Sequence, residues 1–375
     1  MKKHLCILIF FIPVSIFAQK NWDRSSSSNN TWNYIGSAGF SEGKAWFTSL
    51  AFGPSGQPYV AYSDEEESMK AIVMKFDGTN WINVGSTNGV SEGKAYSTTI
   101  AFNQSGEPYI AYMDFANFKK ATVMKFNGNN WVNVGDKGFS AGAVLYTSLA
   151  FNSSSEPYIT YMDGENSLKA TVMRFEGNRW VNVGSPGFSA GVANFTSLAF
   201  SPSDQPYVAY SDEGNSMKAT VMRFDKTKWI NVGKVGFSSD SVEFTTLTFS
   251  PNGQPYIAYE DIGNSKKVTV MKFDGYNWVN VGTTGFSKDA AKFISLTFNF
   301  LGQPYVAFED FGNSQKVTVM KFNGNNWVYV GTTGFSAGKV DSISLAFSPS
   351  GQLYVAFRDW ANSSRATVMK FDGNN

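Results

Sequence analysis

Apolar and polar positions alternate in short runs along nearly the whole chain. In residues 180–228, the runs "WVNVG", "FTSLAF", "PYVAYSD" and "KATVMRF" are separated by stretches rich in Gly, Ser, Pro and Asp. Short runs rich in Val, Tyr, Phe and Thr that are bounded by turn residues predict β-strands. No stretch beyond the N-terminal segment has the apolar spacing of a helix. The pattern therefore predicts units of four short strands.

The four-strand unit repeats at a nearly constant interval. Tryptophans in equivalent positions are 49 or 50 residues apart, at positions 32, 81, 131, 180, 229, 278 and 327. A fixed period of this size indicates a repeat architecture. Links such as "FDGTNW" at 76–81 carry Asp-Gly or Asn-Gly in most copies, which predicts tight antiparallel hairpins.

Seven such units predict an all-β fold, a seven-bladed β-propeller of four-stranded antiparallel blades. A linear array would instead leave two open sheet edges. The seventh unit lacks its "WVNVG" strand, and the chain carries a spare copy, "WNYIG", at 32–36. We therefore expect residues 32–375 to form a ring that is closed when this N-terminal strand pairs with the C-terminal strand at 366–371. The alternative is a longer protein that continues past Asn375.

The first residues have the features of an export signal. Two lysines, an apolar run of about a dozen residues and Ala18 predict a signal peptide at 1–18, followed by a polar linker at 19–31. The apolar run is too short for a membrane span. The alternative to a signal peptide is a buried N-terminal helix. Secretion, cell-surface display or a periplasmic location would follow. Removal of Cys6 and His4 with this segment would exclude thiol, imidazole and His/Cys metal chemistry.

Charge is nearly balanced. Removal of Lys2 and Lys3 with the signal peptide leaves 29 basic and 30 acidic residues, from 31 and 30 in the full chain. No basic field points to nucleic acid or an anionic membrane. We expect no cofactor, a monomer, and a glycan or a protein as the possible ligand.

The unit "W-x-x-VG … PYVAY-x-D … KATVMKF" resembles the repeats of secreted bacterial β-propeller proteins over residues 32–375. This resemblance implies the fold and says little about activity, because propellers carry lectins, scaffolds, hydrolases and lyases alike. The segment "DEGNS" at 212–216 resembles part of the sialidase Asp-box, but Met217 stands where an aromatic residue is expected. We interpret it as turn chemistry.

One aspartate ends the second strand of every unit, and a basic residue follows six positions later. These carboxylates form either a ring that binds a cation or sugar hydroxyls, or caps on their own loops, paired with the following base. We favour caps, because loop Asp usually satisfies its own backbone. The repeated tryptophans and methionines are interpreted as packing residues. The aspartates are Asp64, Asp114, Asp163, Asp212, Asp261, Asp310 and Asp359.

Three columns of the repeat vary instead, and the propeller topology brings all three to one end of the channel. One column precedes the first strand's repeated run, and the others flank the recurrent aspartate. Their members include aromatic residues, which binding clefts favour. The first column contains Trp46, Tyr96, Leu145, Asn194, Glu243, Lys292 and Asp341; the second contains Ser63, Met113, Met162, Ser211, Glu260, Glu309 and Arg358; the third contains Glu65, Phe115, Gly164, Glu213, Ile262, Phe311 and Trp360.

Blades 7, 1 and 2 become neighbours when the ring closes, and their variable positions predict a ligand-binding sector. Loops on a rigid scaffold commonly carry function. The predicted ligand-binding residues are Trp46, Tyr96, Phe115, Arg358, Asp359 and Trp360.

The function that we expect is an exported, non-catalytic module that binds a glycan or a protein on this face. The alternative is a carboxylate-dependent glycoside hydrolase or lyase, for which Glu260 and Glu309 are the candidate acids. A third reading, a structural spacer, predicts that the variable aromatic residues are buried in their loops.

Overall fold

Each repeat of the sequence folds into one four-stranded antiparallel sheet, and seven such sheets form a ring. The computed structural model describes residues 30–373. The predicted signal peptide (1–18) and residues 19–29 of the predicted linker lie outside the described residues. Among residues 30–373, no helix is long and apolar enough to cross a membrane. The predicted seven-bladed propeller is confirmed.

The first strand of each blade lies nearest the ring axis, because residues from all seven first strands line one central cavity. These strands are Ala45–Phe52 (β2), Ala95–Phe102 (β6), Val144–Phe151 (β10), Ala193–Phe200 (β14), Val242–Phe249 (β18), Ala291–Phe298 (β22) and Val340–Phe347 (β26). The second strands are Pro58–Asp64 (β3), Pro108–Asp114 (β7), Pro157–Asp163 (β11), Pro206–Asp212 (β15), Pro255–Asp261 (β19), Pro304–Asp310 (β23) and Leu353–Asp359 (β27).

The third strands are Lys70–Phe76 (β4), Lys120–Phe126 (β8), Lys169–Glu176 (β12), Lys218–Phe224 (β16), Lys267–Phe273 (β20), Lys316–Phe322 (β24) and Arg365–Phe371 (β28). The outermost strands are Trp81–Asn83 (β5), Trp131–Asn133 (β9), Arg179–Asn182 (β13), Trp229–Asn231 (β17), Trp278–Asn280 (β21), Trp327–Tyr329 (β25) and Trp32–Tyr34 (β1). Short 3-10 helices follow five of the second strands, at Phe115–Asn117, Glu213–Asn215, Ile262–Asn264, Phe311–Asn313 and Trp360–Asn362. Blades 1 to 6 take four consecutive strands each from β2 to β25, and blade 7 consists of β26, β27, β28 and β1.

The hydrophobic core is divided into seven clusters, each between two adjacent blades. Between blades 4 and 5, Ala209 and Val221 pack against Leu247, Tyr259 and Met271. Alternation along a strand places small side chains on one face of a blade and large ones on the other. Each blade therefore needs both neighbours to bury its apolar surface. The interpretation of the repeated methionines as packing residues is confirmed.

The repeated tryptophans join the outermost strands of neighbouring blades. Trp229 is buried, and its Nε1 donates to the carbonyl oxygen of Val183 in the preceding blade at 2.7 Å. Its ring stacks on Phe188, with 4.3 Å between the ring centroids. The equivalent bond recurs at all seven tryptophans. Their interpretation as packing residues is confirmed.

The recurrent aspartates cap their own loops. Asp212 accepts hydrogen bonds at Oδ1 from the Gly214 N–H (3.1 Å) and at Oδ2 from Asn215 Nδ2 (2.8 Å) and Thr220 Oγ1 (3.1 Å). The base six residues later is not the partner: in the described part of the chain, none of these aspartates forms an ion pair with it. The capping interpretation is confirmed in six blades, whereas, among residues 30–373, Asp261 accepts no cap bond from its loop backbone. The proposed pairing with the base is corrected, because an asparagine and a threonine take that place in blades 2 to 7 and the Gly43 N–H does so in blade 1.

The ring closes through the two terminal strands, as predicted. Strand β1 pairs antiparallel with β28, with Trp32 opposite Phe371 and Tyr34 opposite Met369. Trp32 Nε1 donates to the Val330 carbonyl oxygen at 2.8 Å, and the Trp32 ring stacks on Phe335 with 4.4 Å between centroids. One segment of the N-terminus therefore completes the seventh blade and also contacts the sixth.

We expect Trp32→Ala to lower the free energy of unfolding by about 3–5 kcal/mol, because it removes a buried aromatic side chain and its hydrogen bond at the closure. Tyr34→Ala is the matched control, since Tyr34 lies on the same strand but is 43% exposed. Its loss should stay below about 1 kcal/mol. Equal small losses in denaturant unfolding would show that this strand does not support the ring.

Candidate functional site

A β-bulge near the start of every first strand shapes the mouth of the channel. In blade 1 the register passes from Trp46 opposite Ser63 to Ser49 opposite Ala61, so that Phe47 and Thr48 together face one residue. A bulge of this kind bends the strand and re-aims its side chains. The first bulge residue has a left-handed backbone, with φ of 57° at Phe47. The seven bulge positions are Phe47, Ser97, Tyr146, Phe195, Phe244, Phe293 and Ser342.

Four consecutive bulge positions form an aromatic arc, defined here as Tyr146, Phe195, Phe244 and Phe293. Adjacent ring centroids along the arc are 4.8, 4.9 and 5.0 Å apart. The rings are tilted by 39° to 52° to one another. They do not cover one another face to face, so that ring surface remains available to a ligand.

Threonine hydroxyls fix the bulges. Thr98 Oγ1 donates to the Phe47 carbonyl oxygen at 2.7 Å, and Thr196 Oγ1 donates to that of Tyr146 at 2.5 Å. Each bond joins one blade to the bulge of the preceding blade. Blades 6 and 7 carry Ile294 and Ile343 at this position and lack the hydroxyl. The left-handed conformation is thus held by contacts between blades, which can sustain unfavourable backbone geometry.

The bulges surround a cavity of about 480 Å³ at the channel mouth. This volume lies within the range of small-molecule binding sites. Most of the lining is apolar, and Asp341 supplies a carboxylate. The lining residues are Trp46, Phe47, Thr48, Ser97, Thr98, Tyr146, Thr147, Phe195, Thr196, Phe244, Thr245, Phe293, Ile294, Asp341, Ser342 and Ile343.

The structure brings three of the predicted site residues together at the edge of this cavity. The guanidinium carbon of Arg358 lies 3.6 Å from the ring centroid of Trp46 and 5.1 Å from that of Trp360. Asp341 Oδ2 accepts a hydrogen bond from Trp360 Nε1 at 2.8 Å and lies 3.4 Å from Arg358 Nη1. Burial lowers the pKa of Arg358, while Asp341 and Glu65 act in the opposite direction. The group holds the Asp341 carboxylate at the cavity wall.

Tyr96 and Phe115 form a second aromatic contact beside the first. Their ring centroids are 4.7 Å apart, and Tyr96 lies 5.5 Å from Phe47. Phe47 follows Trp46 in the chain, so the two aromatic groups adjoin at the cavity wall. Neither Tyr96 nor Phe115 lines the cavity itself.

Asp359 is a predicted site residue whose side chain the structure places in a loop cap and not in the cavity lining. It is fully buried and accepts hydrogen bonds from the Ala361 N–H (3.1 Å), Asn362 Nδ2 (2.7 Å) and Thr367 Oγ1 (3.2 Å). Its side chain belongs to the loop cap, and we do not retain it in the site.

The bulge positions are the part of the site that sequence reasoning missed. In a regular strand, the side chain that follows Trp46 would point to the face of the sheet opposite that of Trp46. The two would then not be expected to line the same cavity. A left-handed position is usually recognised by a glycine, and here Phe, Tyr or Ser occupies it. The available signal was the composition of the column, which contains five aromatic residues and two serines.

Glu260 and Glu309, the predicted candidate acids, are buried beneath the mouth. Both are 2% exposed or less, and neither lines the cavity. Burial raises the pKa of each carboxyl to about 7; Glu243 adds to the effect at Glu260 and Asp341 at Glu309, while neighbouring lysines oppose it. Among the described residues, neither carboxylate oxygen of Glu260 has a hydrogen-bond partner.

Within residues 30–373, no cluster of three or more His, Cys, Asp and Glu side chains is arranged to hold a metal ion.

Comparisons with known proteins identify the fold. No protein-family model and no curated protein matches the sequence. The BP39L lectin from Burkholderia pseudomallei is structurally similar, with a TM-score of 0.64 and 15% identity over 88% of this chain and 97% of that chain. An ulvan lyase of polysaccharide lyase family PL25 gives a TM-score of 0.56 at 13% identity, over 91% and 95% of the two chains. A structure of the Aleuria aurantia lectin gives 0.50 at 14% identity, over 79% and 99%. At these identities the similarity establishes the propeller fold.

We expect Glu260→Gln to stabilise the protein at neutral and alkaline pH. The folded-state pKa of about 7 lies above the ordinary value of 4.5, so the ionised carboxylate costs stability that grows as the pH rises from about 4.5 to about 7. The variant should gain about 1–3 kcal/mol above pH ~7 and nothing below pH ~4.5. Thermal unfolding across this pH range measures the difference. The exposed Glu213→Gln is the control, and a gain independent of pH would contradict the assignment.

Proposed function

We propose that this protein is an exported, non-catalytic module that binds a glycan at the mouth of its central channel. The observation that carries the proposal is the cavity of about 480 Å³ in which aromatic side chains and the Asp341 carboxylate share one wall. Aromatic rings pack against the apolar C–H faces of sugars, and a carboxylate accepts hydrogen bonds from their hydroxyl groups. A site that combines both suits a carbohydrate better than a purely apolar ligand.

Structural neighbours support a glycan as the ligand class. Two of them are named as lectins, and the Aleuria aurantia structure contains Fucα1-6GlcNAc. The ulvan lyase is also a carbohydrate-active propeller. The fold thus carries sugar recognition in proteins with and without catalysis.

The burial of the candidate acids favours binding over catalysis. A glycosidase needs two carboxyl groups on either side of the scissile bond. Glu260 and Glu309 have raised pKa values of about 7, as general acids often do. A sugar in the cavity would not reach them, because neither side chain lines it.

Trp360 is 47% exposed. This exposure argues against the third hypothesis, a structural spacer, because that hypothesis predicts that the variable aromatic residues are buried in their loops.

Binding to a glycan array followed by titration calorimetry tests the proposal. We expect Trp46→Ala to weaken the affinity for the best array ligand at least about tenfold, since the change removes an aromatic wall of the cavity and the support of Arg358. Tyr276→Ala is the matched control, because this 85% exposed aromatic residue lies in a turn at the opposite end of the ring.

Two results would contradict the proposal. One is the absence of any glycan that binds the folded protein. The other is the appearance of new chain ends when polysaccharides are incubated with the wild-type protein, if Glu309→Gln abolishes them. The second result would assign the protein to the hydrolases or lyases.

A further inference from the structure

Charge is distributed unevenly around the mouth. Each variable residue of a first strand lies opposite a variable residue of the second strand, as Glu243 does opposite Glu260. In blades 1 to 4 all eight of these residues are uncharged. In blades 5 to 7 all six are charged, with four acids and two bases. These residues are Glu243, Glu260, Lys292, Glu309, Asp341 and Arg358.

The cations of this sector are engaged outside the cavity. Lys292 Nζ lies 5.8 Å from the ring centroid of Phe311, in the loop after the second strand of its own blade. Arg358 is 3% exposed and stacks against Trp46. Lys339 Nζ, from the neighbouring link, lies 4.9 Å from the centroid of Trp360. None of the three lines the cavity.

The acids, in contrast, adjoin the aromatic arc. Asp341 lines the cavity beside Phe293. Glu243 directly precedes Phe244 of the arc and is half-buried. It also lies near the hydroxyl group of Tyr146, whose pKa is raised by burial and then by the charge of Glu243. Behind it, Glu260 is fully buried with both carboxylate oxygens unpartnered. Two carboxylates, those of Glu243 and Asp341, therefore lie next to the exposed aromatic rings. Asp341 is paired with Arg358, whereas Glu243 forms no ion pair among the described residues.

On this basis, and resting on the proposed function, we infer that the glycan bound in the cavity carries a protonated amino group. An ammonium group gains from the negative faces of aromatic rings and from a nearby carboxylate at the same time. Asp341 in the cavity lining and Glu243, which directly precedes Phe244 of the arc, provide that carboxylate. An N-acetylated or neutral sugar would leave the Glu243 carboxylate without an opposite charge, since Asp341 already has Arg358 as its partner. The inferred ligand class is an amino sugar with a free amine.

Three soluble probes of equal length test the inference: oligomers of glucosamine, N-acetylglucosamine and glucose. Titration calorimetry with the full mature chain at mildly acidic pH keeps the amines protonated. We expect the glucosamine oligomer to bind at least about tenfold more tightly than the other two. The advantage should shrink when NaCl is raised from about 0.05 M to about 0.5 M.

Glu243→Gln identifies the residue responsible. This isosteric change should remove most of the preference for the glucosamine oligomer and leave the affinity for the glucose oligomer within about twofold. Glu176→Gln is the matched control, since it removes an exposed acid from the outermost hairpin of blade 3, at the end of the ring opposite the mouth. Thermal unfolding of each variant establishes that it is folded. A preference that survives Glu243→Gln, or equal affinity of the wild type for all three oligomers, overturns the inference.

The outcomes separate this inference from the proposed function. Binding of all three oligomers that depends on Trp46 but shows no preference for the amine overturns the inference alone. If no oligosaccharide binds and a lysine-containing peptide binds in a Glu243-dependent way, the assignment of a glycan as the ligand is overturned in the proposed function and in this inference. Binding of the glucosamine oligomer that is lost in both Trp46→Ala and Glu243→Gln supports both.

Discussion

Packing between blades is the interaction on which the structure depends. A single four-stranded sheet of this sequence has two apolar faces, one with small side chains such as Ala209 and one with large ones such as Tyr210. Neither face is buried unless a neighbouring blade covers it. The small face of each blade packs against the large face of the next blade. All the blades therefore have both faces covered only if the seventh blade packs against the first. The pairing of β1 with β28 and the contact of Trp32 with blade 6 complete the seventh blade and so close the ring.

The same closed packing makes the mouth possible. Non-glycine residues such as Phe195 adopt left-handed backbone angles at every bulge. An isolated hairpin would relax such a strained residue, whereas here the neighbouring blade holds it, in five blades through a threonine hydroxyl. The aromatic arc therefore stands on strands, and two of its members, Tyr146 and Phe195, are held by a threonine of the next blade.

The fold was predictable because its determinants are local and repeated. Strand runs, turn residues and the constant interval between tryptophans are read directly along the chain, and the spare strand at 32–36 indicated the closure. The site was predictable only in part. Trp46, Arg358 and Trp360, predicted because their columns vary and include aromatic residues, lie together at the cavity edge. Asp359 was assigned with them, although alternation turns its side chain away from those of Arg358 and Trp360 and into the loop.

The bulge positions escaped sequence reasoning because no glycine identifies them, and because their orientation depends on contacts with the preceding blade. Phe244 and Phe293 pack against core clusters, whereas the bulge side chains of Phe47, Tyr146 and Phe195 do not contribute to any of the seven clusters of the described residues. Exchange of Phe for Ser at such a position, as between Phe47 and Ser97, alters the cavity lining without removing a side chain of the core clusters. Single substitutions at Phe47, Ser97, Tyr146 or Phe195 can thus reshape the cavity one blade at a time while the packing between blades is retained.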